Sequence, residues 1–188
     1  QPARLKQSLA SEICEGMIHL SERNIIHRDL ACRNILISNI TTTNPIAKIA
    51  DFGLSYIGEQ KSGPQIFPVR WTAPEIFESY KQTQGSAPSF SVKSDIWSYG
   101  IVLMEIMTNG AMPWGNSTNI RVTNKIDELI GNMSQYIGDC NNDSFFPNSI
   151  CYTLINCLKK NPKNRLQTFN EVKESLKKVL ISKKNYSN

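Results

Sequence analysis

Apolar residues recur at Leu5, Leu9, Ile13, Met17 and Leu20, while Glu12 and Glu15 fall elsewhere on the helical wheel. This period predicts an amphipathic helix over 5–20, packed along one face. Two short apolar runs, Ile35-Leu36-Ile37 and Ala47-Lys48-Ile49-Ala50, flank the polar segment 38–45 and predict a small β-hairpin. Periodicity is lost over 54–72, where Gly58, Gly63, Pro64 and Pro68 predict a loop without regular structure. A loop that long in a compact domain is usually functional. Residues 95–107 are apolar almost all round (Ile96, Trp97, Ile101, Val102, Ile106), which predicts a central, buried helix. Further helices are predicted near 120–130, 149–160 and 169–181, the last two separated by Asn161-Pro162. The expected fold class is mainly α with one small β-hairpin.

Composition narrows this picture without changing it. With 188 residues, 40% hydrophobic and 20% charged, the chain suits one domain with a real core. The net charge of +5 is spread along the sequence. Its one dense basic stretch, 173–184, reads as the solvated face of a terminal helix, and no aromatic-basic interleaving points to nucleic acid. Five cysteines (Cys14, Cys32, Cys140, Cys151, Cys157) form no C-x-x-C pair and have no His at ligand spacing. A disulfide framework and a zinc site are thus not indicated, and a reducing, cytoplasmic setting is expected. Sequons at Asn39, Asn116, Asn132, Asn142 and Asn185 are read as chance in an Asn-rich chain. The most apolar run, 101–107, is interrupted by Glu105, so no membrane segment is expected. The chain opens on Gln1 without an initiator Met or a leader pattern, which points to a native start upstream.

The chemistry lies in three ordered motifs. His27-Arg28-Asp29-Leu30-Ala31-Cys32-Arg33-Asn34 matches H-R-D-L-x-x-x-N, Asp51-Phe52-Gly53 matches D-F-G, and Ala73-Pro74-Glu75 matches A-P-E. One triplet alone is weak; three in order, with the predicted hairpin between the first two, are specific. On these residues the chain resembles the protein kinase family, with a tyrosine-kinase-like catalytic domain. Ser94-Asp95-Ile96-Trp97-Ser98-Tyr99-Gly100 and Asn161-Pro162-Lys163-Asn164-Arg165 fall where that family has counterparts. The resemblance covers essentially the whole chain and implies the C-terminal lobe of the protein-kinase-like α+β fold over residues 1–182, with 183–188 as a disordered tail.

What the resemblance implies can be put residue by residue. Phosphoryl transfer leaves the protein little covalent work, so its task is positioning and charge neutralisation. Asp29 would accept or orient the proton of a substrate hydroxyl, and Asn34 and Asp51 would hold the Mg²⁺ ions that bridge the phosphates of ATP. Leu36 would give the adenine a floor. Gly53 would free the backbone to reorient, while His27 and Phe52 would be packed members of an internal hydrophobic column rather than chemical groups. Arg28 would pair with a phosphorylated loop residue, Asp95 would accept backbone N–H groups of the catalytic loop, and Glu75 and Arg165 would form a bidentate ion pair.

The preferred acceptor follows from similar details. Ala31 stands where serine/threonine kinases usually carry Lys, and the cation is instead Arg33, as in tyrosine kinases. Arg33 would neutralise phosphate charge beside a tyrosine acceptor, and Pro68, Val69, Arg70 and Trp71 resemble the tyrosine-kinase substrate platform. Departures accompany the match. Between Gly53 and Ala73 the only tyrosine is Tyr56, too near Asp-Phe-Gly for the usual phosphorylated position, and Ser62 is the better-placed hydroxyl. Leu158 and Leu166 stand where the family commonly has Trp and Pro. No Gly-rich phosphate loop, strand Lys or helix Glu of the N-terminal lobe occurs in the sequence. The expected partners are a protein substrate and that lobe, and this chain alone is expected to be inactive. The alternatives are a non-catalytic, kinase-like binding module and a tyrosine-kinase-like serine/threonine kinase.

Overall fold

The computed structural model describes residues 2–39, 45–57, 67–82, 88–132 and 148–178. Helix α1 (Pro2–Ser21) buries Ala10, Ile13, Cys14, Met17 and Leu20 on the face that the apolar period marks. A turn over 22–24 follows it, with Asn24 at φ 55°, a left-handed conformation that asparagine tolerates. The chain then enters β1 (Ile25–Ile26) and leads to a single 3₁₀ turn at Cys32–Asn34. Strands β2 (Ile35–Ser38) and β3 (Ile46–Ile49) form the expected antiparallel hairpin, with Ile35 opposite Ile49 and Ser38 opposite Ile46.

The segment 54–72 is not wholly irregular. Tyr56–Ile57 is a strand, β4, pairing antiparallel with β1, so that Ile26 faces Tyr56. Two residues are too few to leave an alternating pattern; Tyr56 is held by its buried ring and by its hydroxyl, which donates to Phe90 O at 3.0 Å. Helix α2 (Pro74–Gln82) is a second element absent from the predicted set; it is only nine residues long and buries Pro74, Ile76 and Phe77. Its signals are local: Pro74 sits at the first position, where its missing N–H costs nothing, and Glu75 faces the positive end of the helix dipole.

Helix α3 (Val92–Met107) is buried on nearly every side, and its start is fixed by Ser94 Oγ, which accepts the Ser91 N–H at 3.0 Å. Helix α1 packs on it, and the Tyr99 hydroxyl donates across to Ala10 O at 2.7 Å. The predicted helix over 120–130 is broken into α4 (Asn119–Asn124) and α5 (Ile126–Gly131) by Lys125, whose ψ of 32° is not helical. Helices α6 (Asn148–Cys157) and α7 (Phe169–Lys177) complete the described chain; Thr168 Oγ1 caps α7 by accepting the Glu171 N–H. Both are shorter than the periodicity suggests. The expected tail, 183–188, lies outside the described residues.

Glycine is required where α3 meets the end of α6. A Cβ on Gly100 would lie 2.8 Å from Cys157 Cβ and 2.8 Å from Leu158 Cδ2, closer than packed carbons approach. G100A is therefore expected to destabilise the fold by about 1–3 kcal/mol, the overpacking exceeding the gain in helix propensity. A urea titration checks this: an unchanged midpoint would show that the two helices can part without cost.

Candidate active site

The loop between β1 and β2 is held from beneath by α3. Asp95, 1% exposed, accepts the backbone N–H of His27 at 2.7 Å and of Arg28 at 3.0 Å, one on each carboxylate oxygen. Burial pushes its carboxyl up to about 7, against the pull of those two donors and of the Arg28 charge. The anchored loop turns sharply, with Arg28 at φ 71°. His27 is fully buried; its Nδ1 accepts the Asp29 N–H at 3.3 Å, so the other ring nitrogen carries the proton and donates to Ala50 O at 3.2 Å. Burial lowers its pKa. Both nitrogens of this enclosed imidazole are thus engaged, one of them by the Asp29 backbone.

Asp29 stands at the mouth of this loop with both oxygens occupied. Asn34 Nδ2 donates to Asp29 O at 2.7 Å and to Oδ2 at 2.9 Å, and Arg33 forms an ion pair with Oδ1. The Arg33 guanidinium lies over the Trp71 ring, 4.4 Å from its centroid. Trp71 Nε1 donates to Glu105 Oε2 at 2.9 Å, and the same oxygen accepts the Cys32 N–H at 3.0 Å. Burial and the neighbouring Glu105 push the Cys32 thiol well up, so it is an inert packing group.

The other side of the site is open. Asp51, at φ 61°, is exposed, and its Oδ1 accepts the Gly53 N–H at 3.3 Å. The left-handed residue of this triplet is thus Asp51, whose side chain closes back on Gly53. Phe52 is not an internal residue: one face meets His27, with ring centroids 5.3 Å apart, but 47% of it is exposed because no described residue covers the other face. Leu36 is 62% exposed on β2. Asn34, with its amide nitrogen committed to Asp29, and Asp51 offer oxygen donors only. So small an all-oxygen set suits Mg²⁺, which keeps several waters and takes phosphate oxygens.

Behind the loop, the Arg28 guanidinium lies 4.4 Å from the Phe90 ring centroid and 5.4 Å from that of Tyr56, and its Nη1 donates to Leu54 O at 3.1 Å. Ser62 lies outside the described residues. The platform residues Pro68, Val69, Arg70 and Trp71 are half-buried. Pro68 O accepts the Trp71 N–H at 3.0 Å, and Arg70 donates to Pro113 O, Gly115 O and Ser117 O, which ties the platform to the loop after α3. Trp114 Nε1 returns a bond to Arg70 O at 3.0 Å. Below the platform, Arg165 meets Glu75 bidentately, Nη1 to Oε1 at 2.7 Å and Nη2 to Oε2 at 3.0 Å.

Sequence reasoning passed over four side chains of this assembly. Glu105 had been weighed only as the interruption of an apolar run, yet a charge on a helix buried all round is itself the signal that donors await it. Ser98, whose Oγ donates to Trp71 O at 2.8 Å, enters the sequence reading only as part of the 94–100 stretch, with no role of its own, and the aromatic residues Phe90 and Trp114 leave no mark in it.

Residues 2–176 match the family model described as protein tyrosine and serine/threonine kinase. The chain is 41% identical over 125 residues to the tyrosine protein-kinase src-1 of Caenorhabditis elegans, covering 63% of this chain and 22% of that protein. It is 33% identical over 176 residues to the mouse tyrosine-protein kinase TXK, covering 92% of this chain and 29% of the relative. With Src64B of Drosophila melanogaster the identity is 36% over 161 residues, 84% of this chain and 26% of the relative. The chain thus spans 22% to 29% of the length of these curated relatives. By these matches and by its ordered motifs, this chain belongs to the protein tyrosine and serine/threonine kinase family, as a tyrosine-kinase-like catalytic domain.

Proposed function

We propose that this chain, over residues 1–182, is the C-terminal lobe of an ATP-dependent protein kinase that phosphorylates a tyrosine hydroxyl on a protein substrate. The observation that carries the reading is the placement of Asp29 between Asn34 and Arg33, on a loop anchored to the buried Asp95. In this reading Asp29 receives the hydroxyl proton, and Asn34 and Asp51 hold the cation. Arg33, on its Trp71 support, balances charge near the acceptor. Bound Mg²⁺·ATP supplies the transferable phosphoryl group. Ala31, fully buried, leaves no lysine at the position that serves serine/threonine kinases, which favours the tyrosine acceptor.

The exposed Leu36 and Phe52 fit a lobe that is completed by a second one carrying the phosphate loop. The chain alone is then expected to show negligible turnover with radiolabelled ATP, Mg²⁺ and a tyrosine peptide. Turnover of about 1–100 s⁻¹ from the isolated chain would refute that part. The longest product of its gene is expected to label the tyrosine peptide and not its serine counterpart. D29N should lower that rate by about 10²–10⁴. Equal labelling of both peptides would overturn the acceptor assignment, and no labelling by the wild type would overturn the kinase reading itself.

A further inference from the structure

We infer that Glu105 is a positioning residue for phosphoryl transfer, tying the catalytic loop to the indole that supports Arg33; the inference rests on the kinase reading above. One carboxylate oxygen, Oε2, receives the Cys32 N–H and the Trp71 Nε1–H, two donors that are 39 residues apart in sequence. Cys32 lies between Asp29 and the pair Arg33 and Asn34 that flank its carboxylate. Trp71 belongs to the platform. One carboxylate oxygen therefore joins the loop that carries Asp29 to the platform that carries Trp71.

Arg33 shows why such a tie is needed. Its side chain is 43% exposed, and a long cation in water has little reason to keep one rotamer. It is held by the Asp29 carboxylate and by the Trp71 face. That face is itself steered from two sides, by Glu105 at the indole nitrogen and by Ser98 at the backbone carbonyl. A charge on a central helix, 7% exposed, is costly to bury, and an apolar residue of similar size would pack there at less expense. Two donors with no other acceptor among the described residues account for its presence.

The test uses the longest product of the gene, assayed with Mg²⁺·ATP and a tyrosine peptide. E105L keeps the volume and removes the acceptor. W71F keeps a ring under Arg33 and removes the indole N–H, whereas E105Q keeps an acceptor oxygen. E105L and W71F are expected to lower kcat by about ten- to a hundredfold, as a small misplacement of catalytic groups does, while KM for ATP stays unchanged. E105Q is expected to stay close to wild type, and the double variant E105L/W71F to lose no more than E105L alone.

Wild-type kcat in folded E105L or in W71F would overturn the inference, as would an E105Q as poor as E105L. So would additive losses in the double variant. If E105L does not fold, W71F and E105Q decide the matter. An inactive wild type would remove the kinase reading and this inference with it, whereas an active wild type with unaffected variants would remove only the inference.

Discussion

Replacing Glu75 with alanine is expected to cost the fold about 3 kcal/mol, near the lower end of what breaking a buried ion pair costs, because Glu75 keeps a quarter of its surface in water. The loss comes mostly from what stays behind. The Arg165 side chain is 0% exposed against 25% for Glu75, and all five of its N–H donors are used. Two go to Glu75, and the others reach Lys159 O, Lys93 O and Lys160 O at 3.1, 2.6 and 3.3 Å. Its guanidinium also lies 5.2 Å from the Trp97 ring centroid. E75A therefore leaves a buried cation with two unpaired donors. E75Q, which keeps one acceptor oxygen, should lose less, and R165K cannot reproduce the fork. Urea unfolding at low and at 0.5 M salt measures the effect, which should be nearly independent of salt because the pair is shielded from ions. A loss in E75A below about 1 kcal/mol would show that this pair behaves like a surface contact.

Asp95 is the second position where a large effect is expected. D95A leaves the buried N–H groups of His27 and Arg28 without an acceptor, at about 1–3 kcal/mol each, and slackens the loop that carries Asp29. The pH dependence separates its charge from its hydrogen bonds. Burial raises Asp95 to about 7 from an ordinary 3.8, so between those values the folded chain holds a proton that the unfolded chain has released. The contribution of this group to stability therefore falls as pH rises through that window. His27 acts in the opposite sense: burial lowers its pKa from 6.5, the unfolded chain takes up the proton first, and stability is lost as pH falls. Comparing wild type with D95N cancels the histidine. The stability of wild type relative to D95N is expected to decline from about pH 4 to about pH 7 in urea titrations and to level off above, and two parallel profiles would refute a raised Asp95.

The hairpin and helix α3 were legible for different reasons: the hairpin from two short apolar runs on either side of a polar segment, and the helix from a long stretch that is apolar almost all round. Strand β4 and the break at Lys125 were not, since two residues carry no period and a single non-helical ψ leaves the apolar spacing intact. The neighbours of Asp29 were legible because Arg33 and Asn34 belong to the same motif, four and five positions after it. The tie at Glu105 was hidden, because its donors stand 73 and 34 residues away along the chain. Phe52 illustrates a different limit. A motif names the residue and its ring partner, but how deeply the residue is buried depends on what lies over the ring.

The occupied carboxylate of Asp29 also bears on timing. In the reading proposed above, a substrate hydroxyl would share the Asp29 carboxylate with Arg33, since each ionised oxygen has a second lone pair, and Arg33 is a half-exposed side chain that changes rotamer in picoseconds to nanoseconds. Kinase turnover, at about 1–100 s⁻¹, is slower by at least six orders of magnitude, so in the proposed reaction Arg33 would equilibrate on and off the oxygen many times in each cycle. Breaking that contact would therefore not limit the rate. In the proposed reaction its effect would be on where the Asp29 carboxylate points, which is read in kcat and not in the concentration of ATP needed for half-saturation.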